Sequence, residues 1–296
     1  ADAISNRAIP SASASALGAA GFGAFSAMGY GTSRIESGSH IDVKGFSGNI
    51  GLAAAAETSS GIATAGVFLE FGRGEFDSYN DFAGLPTVHG SGDVTYIGGG
   101  LLGRFEIGSA GSSRPYVEGS VRLGTTRSDF TSDDFLGILA DRASFELHSG
   151  YYGFHVGAGY ILNLAGLGDD GSLDLSAKVF HTRRDGDEFA VLGARASTSA
   201  VSSTRLVAGA RLSFGLSELV KPFVGGYFEH EFQGESQVIV DGFELPKASL
   251  EGNSGIGELG VTLTPPSVPL EVELGLQGTG GKRQGVSGGL KVNFTF

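Results

Sequence analysis

From Gly285 to Phe296 (GVSGGLKVNFTF) apolar and polar positions alternate without a break. Val286, Gly288, Leu290, Val292, Phe294 and Phe296 fall on one face, and Ser287, Gly289, Lys291, Asn293 and Thr295 on the other. A period of two is that of a β-strand whose two faces meet different surroundings. The same pattern recurs along the chain and predicts twelve strands, at about 22–33, 40–56, 60–77, 92–109, 114–130, 144–164, 171–186, 199–214, 219–234, 248–264, 269–279 and 284–296.

The breaks between these stretches alternate in character. After the second, fourth, sixth, eighth and tenth strands they are tight: Thr58-Ser59, Ser109 to Ser113, Ala165 to Asp170, Gly215 to Glu218 and Pro265 to Pro269. After the third, fifth, seventh and ninth they are longer and polar, as at Ser78 to Ser91, Thr131 to Ala143 and Asp187 to Thr198. Short turns on one rim and long loops on the other is the asymmetry of a bacterial outer-membrane β-barrel, with the short turns toward the periplasm. By this parity the first strand runs outward and the last inward, so both ends of the barrel and Phe296 lie at the periplasmic rim. A soluble β-sandwich can alternate too, but a strand that closes the chain on an aromatic residue, together with the loop parity, favours the membrane barrel.

The faces follow from the alternation. Ala63, Ala65, Val67, Leu69 and Phe71 are expected to face lipid, as are Leu101, Phe105 and Ile107; Val117, Val121 and Leu123; and Leu173, Leu175 and Val179. The same row continues through Leu206, Ala208, Ala210 and Leu212, then Leu259, Val261 and Leu263, then Leu270, Val272, Leu274 and Leu276. No charge interrupts these runs, where one at mid-membrane would cost about 2–4 kcal/mol. The opposite faces collect Glu70, Arg104, Glu106, Glu118, Arg122, Asp174, Lys178, Arg205, Arg211, Glu258, Glu271, Glu273 and Lys291, which are expected to line a polar lumen of mixed sign. Tyr30, Tyr116, Tyr152, Tyr160 and Phe22 are candidates for aromatic girdles at headgroup depth.

Composition narrows the class. Glycine takes 51 of 296 positions without a collagen period, against a usual share of roughly 7%; inside strands it suits the bends and close approaches of a barrel. The sequence has no cysteine, which removes disulfides and thiolate metal sites. No apolar run reaches the ~20 residues of a spanning helix, and mean hydropathy is near neutral at +0.09. The net charge of -12 without a cluster of Lys and Arg argues against a nucleic-acid partner. The segment Ala1 to Ala20 differs from the rest: it is rich in Ala and Ser, carries only Asp2 and Arg7 as charges, and lacks strand alternation. It is expected to be a helical or extended linker (residues 1–20) inside the lumen of a barrel comprising residues 21–296, or else a disordered leader.

On these features the chain resembles the C-terminal translocator domain of autotransporters, the type V secretion proteins. The matching elements are the small-residue leader with Ile4-Ser5-Asn6-Arg7, the twelve strands, Lys221-Pro222-Phe223-Val224 with Tyr227 and His230 downstream, and the terminal Asn293-Phe294-Thr295-Phe296. The resemblance implies an outer-membrane protein of a Gram-negative cell that exports and anchors an N-terminal passenger and works as a monomer. It also implies partners: outer-membrane lipid, periplasmic chaperones and the barrel-assembly machinery, which would read Phe294 and Phe296 as an assembly signal. Neither a metal nor another cofactor is implied, and no catalytic activity. Some members release the passenger by self-cleavage at a linker asparagine aided by lumen carboxylates; Asn6 is the candidate here, with Glu70, Glu118, Glu258, Glu271 and Glu273 on the inward faces.

Other chemistry finds little support. The six histidines, His40, His89, His148, His155, His181 and His230, show no pair at metal-ligand spacing. Gly98-Gly99-Gly100 lies within a strand, so a dinucleotide loop fails on context, and no Gly-x-Ser-x-Gly element is present. Two alternatives stand beside the translocator: a passive porin-like channel, and an outer-membrane barrel protease or lipase drawing on Asp133-Asp134, His155 and His181.

Overall fold

The computed structural model describes residues 21–37, 40–80, 87–109, 112–134, 142–168, 171–244 and 247–296. Twelve antiparallel strands form one closed barrel. They are β1 (Gly21–Glu36), β2 (His40–Thr58), β3 (Gly61–Asn80), β4 (Val88–Ile107), β5 (Arg114–Ser132), β6 (Ala143–Asn163), β7 (Ser172–Arg184), β8 (Val201–Ser213), β9 (Val220–Glu231), β10 (Gly252–Leu263), β11 (Leu270–Gly281) and β12 (Arg283–Thr295). The strands read from periodicity are thus all present, within a few residues at each end. The linker or helix expected over residues 1–20, and Asn6 with it, lies outside the described residues.

Closure comes from β12 pairing with β1, from Gly23 opposite Thr295 to Ile35 opposite Arg283. Phe296 finishes the seam: its N–H donates to the Phe22 carbonyl at 2.8 Å, and its ring stacks on Phe22 with centroids 5.7 Å apart. The first strand residue and the last residue of the chain therefore share the short-turn rim.

Alternation sorts side chains as the two-faced pattern requires. In β3, Val67 and Leu69 are exposed while Phe68 and Glu70 are buried. The outward row continues through Ile97, Leu101, Val121, Leu123, Leu259, Leu276 and Val286, all exposed, with Leu123 at 71%. A bare apolar surface of this extent suits lipid and would be an aggregation liability in water. Tyr30, Tyr152, Tyr160 and Phe22 lie on this outer face. Tyr116 does not, contrary to the girdle expectation: it is 1% exposed and its hydroxyl donates to Asp174. Its neighbour Val117 holds the outward position, so strand parity turns Tyr116 inward.

The barrel is uneven in height. Strands β1 to β6 run 16 to 21 residues, whereas β7 to β12 run 12 or 13. On the long-loop side of the tall half the outer face changes from apolar to ionic. There Arg34 pairs with Asp42 at 2.7 Å, Lys44 with Glu75 at 2.9 Å, Arg73 with Asp93 at 3.3 Å and Arg127 with Glu146 at 2.6 Å. The hydrogen bonds from the Arg34 guanidinium hold the Asp42 carboxyl below its usual range, as expected for groups that have left the apolar band. On the same side the β7–β8 and β9–β10 connections build a four-stranded sheet from Glu188–Val191, Ala194–Thr198, Val238–Val240 and Phe243–Glu244. Both of its tight hairpins turn on two residues with positive φ, Leu192-Gly193 and Asp241-Gly242, the requirement of a type I′ turn.

Candidate functional site in the barrel interior

Side chains of one strand can reach past a neighbouring strand only on the concave side of a closed barrel, and the ion pairs do so. Glu70 of β3 accepts from Tyr151 of β6 at 2.6 Å and from Arg122 of β5 at 3.2 Å. Arg122 also donates to Thr182 of β7 at 2.8 Å. Tyr116 of β5 reaches Asp174 of β7 at 3.0 Å. Arg211 of β8 reaches Glu273 of β11 at 2.7 Å.

These contacts gather into two arcs. In the first, spanning β3 to β7, the Arg104 guanidinium is the centre. Its Nε donates to Glu106 at 2.8 Å and its terminal nitrogen to Glu118 at 2.9 Å, while its plane lies 3.7 Å over the Tyr116 ring. Arg114 holds the other oxygen of Glu106, and Lys178 holds Glu118 at 2.5 Å. Glu106 is fully buried, so it is stable as a charge only with these two guanidinium partners. The second arc, from β8 to β12, has two levels. Arg211 pairs with Glu273 and stacks 3.5 Å over Phe223; Glu273 also faces Lys291 at 3.4 Å. Glu258 accepts from Tyr227 at 2.8 Å and Gln277 at 3.2 Å, and Glu271 accepts from Asn293 at 3.0 Å. Nearer the long-loop rim, Arg283 donates to Glu229 at 2.7 Å, and Arg205 lies between Glu229 and Glu231 at 3.7 and 3.9 Å.

The interior is therefore a wall of mutually neutralised charge. Glycines let its rings lie close: a Cβ at Gly159 would collide with the Tyr116 ring, and one at Gly124 with the Tyr151 hydroxyl. Arg114, Tyr116, Tyr151, Tyr227, Glu229, Glu231 and Arg283 belong to these networks although the charge pattern did not single them out. Strand parity would have found Arg114 and Tyr116, which share a row with Glu118, and Arg283, which shares one with Lys291; no residue of β6 or β9 had been assigned inward, so Tyr151, Tyr227, Glu229 and Glu231 carried no such signal.

The histidines and acids weighed for catalysis do not converge. His155 is buried inside, its Nδ1 2.6 Å from Ser120 Oγ and its Nε2 3.7 Å from Glu118. His181 is on the outer row, stacked on Phe154 at 5.1 Å. Asp133 pairs with Arg142 at the loop rim, and Asp134 accepts the His89 N–H at 2.5 Å. Serine, imidazole and carboxylate in line resemble a nucleophile relay, but here Glu118 is already committed to Arg104 and Lys178. The backbone beside Ser120 is committed to the β4 and β6 ladders, where an oxyanion would need free N–H donors. The trio is a strut between strands. Among the described residues no group of His, Asp and Glu is arranged to hold a metal ion.

One part of the wall is different. The inner rows of β1 (Gly23 to Ile35) and β2 (Ile41 to Ala55) carry no charged side chain. Phe25, Ala53 and Ala55 cluster there with Ile62, Phe68 and Leu102, so an interior expected to be polar throughout has an apolar sector.

The model of the autotransporter beta-domain family matches residues 18–272. Among solved structures, the transport unit of the autotransporter AIDA-I from Escherichia coli is similar with a TM-score of 0.71 at 14% identity, over 93% of this chain and 90% of that one. The translocator domain of the autotransporter NalP from Neisseria meningitidis gives 0.68 at 16% identity, over 93% and 88%. The β domain of the Bordetella autotransporter BrkA gives 0.66 at 16% identity, over 93% and 100%. No curated protein matches the sequence.

Proposed function

Because this chain belongs to the autotransporter β-domain family, whose model covers residues 18–272, we propose that it is an outer-membrane translocator that exports an N-terminal passenger and anchors it at the cell surface. The observation that carries this reading is the position of Gly21, which opens β1 at the short-turn rim beside Phe296. With short turns toward the periplasm, whatever precedes Gly21 meets the barrel from the periplasmic side and reaches the surface only through the lumen. The neutralised wall suits such a path, since it offers a sliding polypeptide no strong field of either sign.

The test places a signal peptide and an epitope tag upstream of Ala1 in a Gram-negative host, with protease added to intact cells. Loss of the tag from an intact barrel is the expected outcome. A tag shielded until the outer membrane is broken would overturn the proposal and favour a channel.

Delivery to the membrane is expected to depend on the C-terminal aromatics. Phe294 and Phe296 project outward and pack edge to face at 5.2 Å, a surface that periplasmic chaperones and the assembly machinery can read before closure. Phe296→Asp is expected to lower the folded outer-membrane fraction several-fold, whereas Ser287→Ala leaves it unchanged. Heat-modifiable gel mobility measures both, and equal folded amounts would exclude Phe296 from the signal.

A further inference from the structure

One arginine of the interior stands outside both arcs. Arg184 ends the inner row of β7, two positions beyond Thr182, and among the described residues its guanidinium makes no hydrogen bond or ion pair. Arg104, Arg114, Arg122, Arg205, Arg211 and Arg283 each pair with a carboxylate. The register accounts for the difference. Arg184 sits opposite Tyr151 of β6 and Val201 of β8, and the row through it continues to Gly124, Gly98 and Glu70. Glu70 is four strands away and already bonded to Tyr151 and Arg122. The next inner row toward the long loops, Ser149, Thr126, Tyr96 and Gly72, carries no charge. Past the strand end, Asp185 lies against the outward-facing Gly150, and Asp187, which acts on Arg184 only through space, accepts the His148 and Glu188 N–H groups. Ser149 stands diagonal to Arg184 on the inner face. It is 6% exposed and its Oγ lacks a partner, where buried polar groups are normally satisfied.

We propose that Arg184 and Ser149 form a binding site for a carboxylate group on the lumen wall, just inside the long-loop rim. Both side chains can donate and neither has an acceptor, so the pair selects an anion. A guanidinium fork accommodates the two oxygens of a carboxylate, and the Ser149 hydroxyl donates to the oxygen on the β6 side. The ligand has two sources: a free small carboxylate, or an Asp or Glu side chain of a polypeptide in the lumen. The site follows from the wall alone; only the second source rests on the translocator reading.

The test unfolds the full chain with urea in zwitterionic micelles at neutral pH, with sodium acetate replacing sodium chloride at equal ionic strength. Acetate at about 100 mM is expected to raise the folded-to-unfolded ratio about ten-fold, the linkage effect of a site with a Kd of about 10 mM. In Arg184→Gln and Ser149→Ala the gain is expected to fall below about two-fold by the same linkage. Arg183→Gln, which removes the same charge from the exposed outer row of β7, is expected to keep it. Heat-modifiable mobility confirms that each variant is folded, and in chloride Arg184→Gln is expected to be as stable as the parent chain, since no pair is lost. No gain from acetate in the parent chain, an equal gain in Arg184→Gln, or failure of Arg184→Gln to fold in chloride would overturn the proposal; the protease test on the tag decides the translocator reading separately. The source is read in cells with an Asp-rich upstream tag and its Asn counterpart. If Arg184→Gln changes the surface appearance of the Asp tag at least two-fold and leaves the Asn tag unchanged, the ligand is the polypeptide; no difference, or no exposed tag, assigns it to free carboxylates.

Discussion

Arg104→Leu is expected to destabilise the folded barrel by about 3 kcal/mol, the low end of the cost of breaking a buried ion pair from one side. Arg104 is the shared partner of Glu106 and Glu118, and its loss leaves Arg114 and Lys178 to balance Glu106, Glu118 and Asp174, one carboxylate in excess. The low end applies because Glu106 and Glu118 each keep one cation. The ring of Tyr116 also loses its cationic lid. Unfolding by denaturant in lipid vesicles measures the change. Arg104→Leu with Glu118→Leu is expected to be more stable than Arg104→Leu alone, because the excess charge goes with the second residue; such coupling between contacting groups is what a double-mutant cycle isolates. A cost below about 1 kcal/mol for Arg104→Leu would mean that lumen water solvates the carboxylates and the arc is not a sealed wall.

The outer face gives the second large effect. Leu69 sits midway along β3, paired across the ladder with Ile50 and Gly99, and is 62% exposed on the apolar row. Leu69→Arg is expected to cost about 2–4 kcal/mol in a bilayer, the depth-dependent cost of a cation near the midplane. Leu69→Ala separates the charge from lost side-chain contact, and in detergent micelles, which deform around a charge, the difference between the two variants should shrink. If Leu69→Arg folded as well as Leu69→Ala in vesicles, the row would not be the lipid-facing surface.

The sequence displayed the strands because each carries two unlike faces, and the clean rows in β3 and β11 put Leu69 or Leu274 outside and Glu70 or Glu273 inside. What periodicity could not supply is who pairs with whom. Arg104 meets Glu106, two positions along its own strand, and Glu118 on the next; Arg211 meets Glu273 three strands away. Such partners depend on barrel curvature and stagger, which no local pattern encodes. Tyr116 was misjudged because an amphipathic ring suits both a girdle and a buried hydrogen bond; the parity set by Val117 decides between them. The apolar cluster around Phe25 and Phe68 was missed for a related reason. An inward apolar residue is indistinguishable by type from an outward one, and only the register of β1 with β2 and β12 shows which way it points.

Closure by the last strand constrains assembly. Since β1 finds its second partner only in β12, a folding sheet has two unpaired edges until its last strand is in place. An open intermediate of this kind exposes backbone donors and acceptors that no lipid can satisfy, and the contact that removes them has the greatest sequence separation in the ring, the slowest kind to form. A chain lacking β12 is therefore expected to leave β1 and β11 as open edges that no bilayer can satisfy. The seam thus makes a closed, membrane-compatible ring conditional on the last strand.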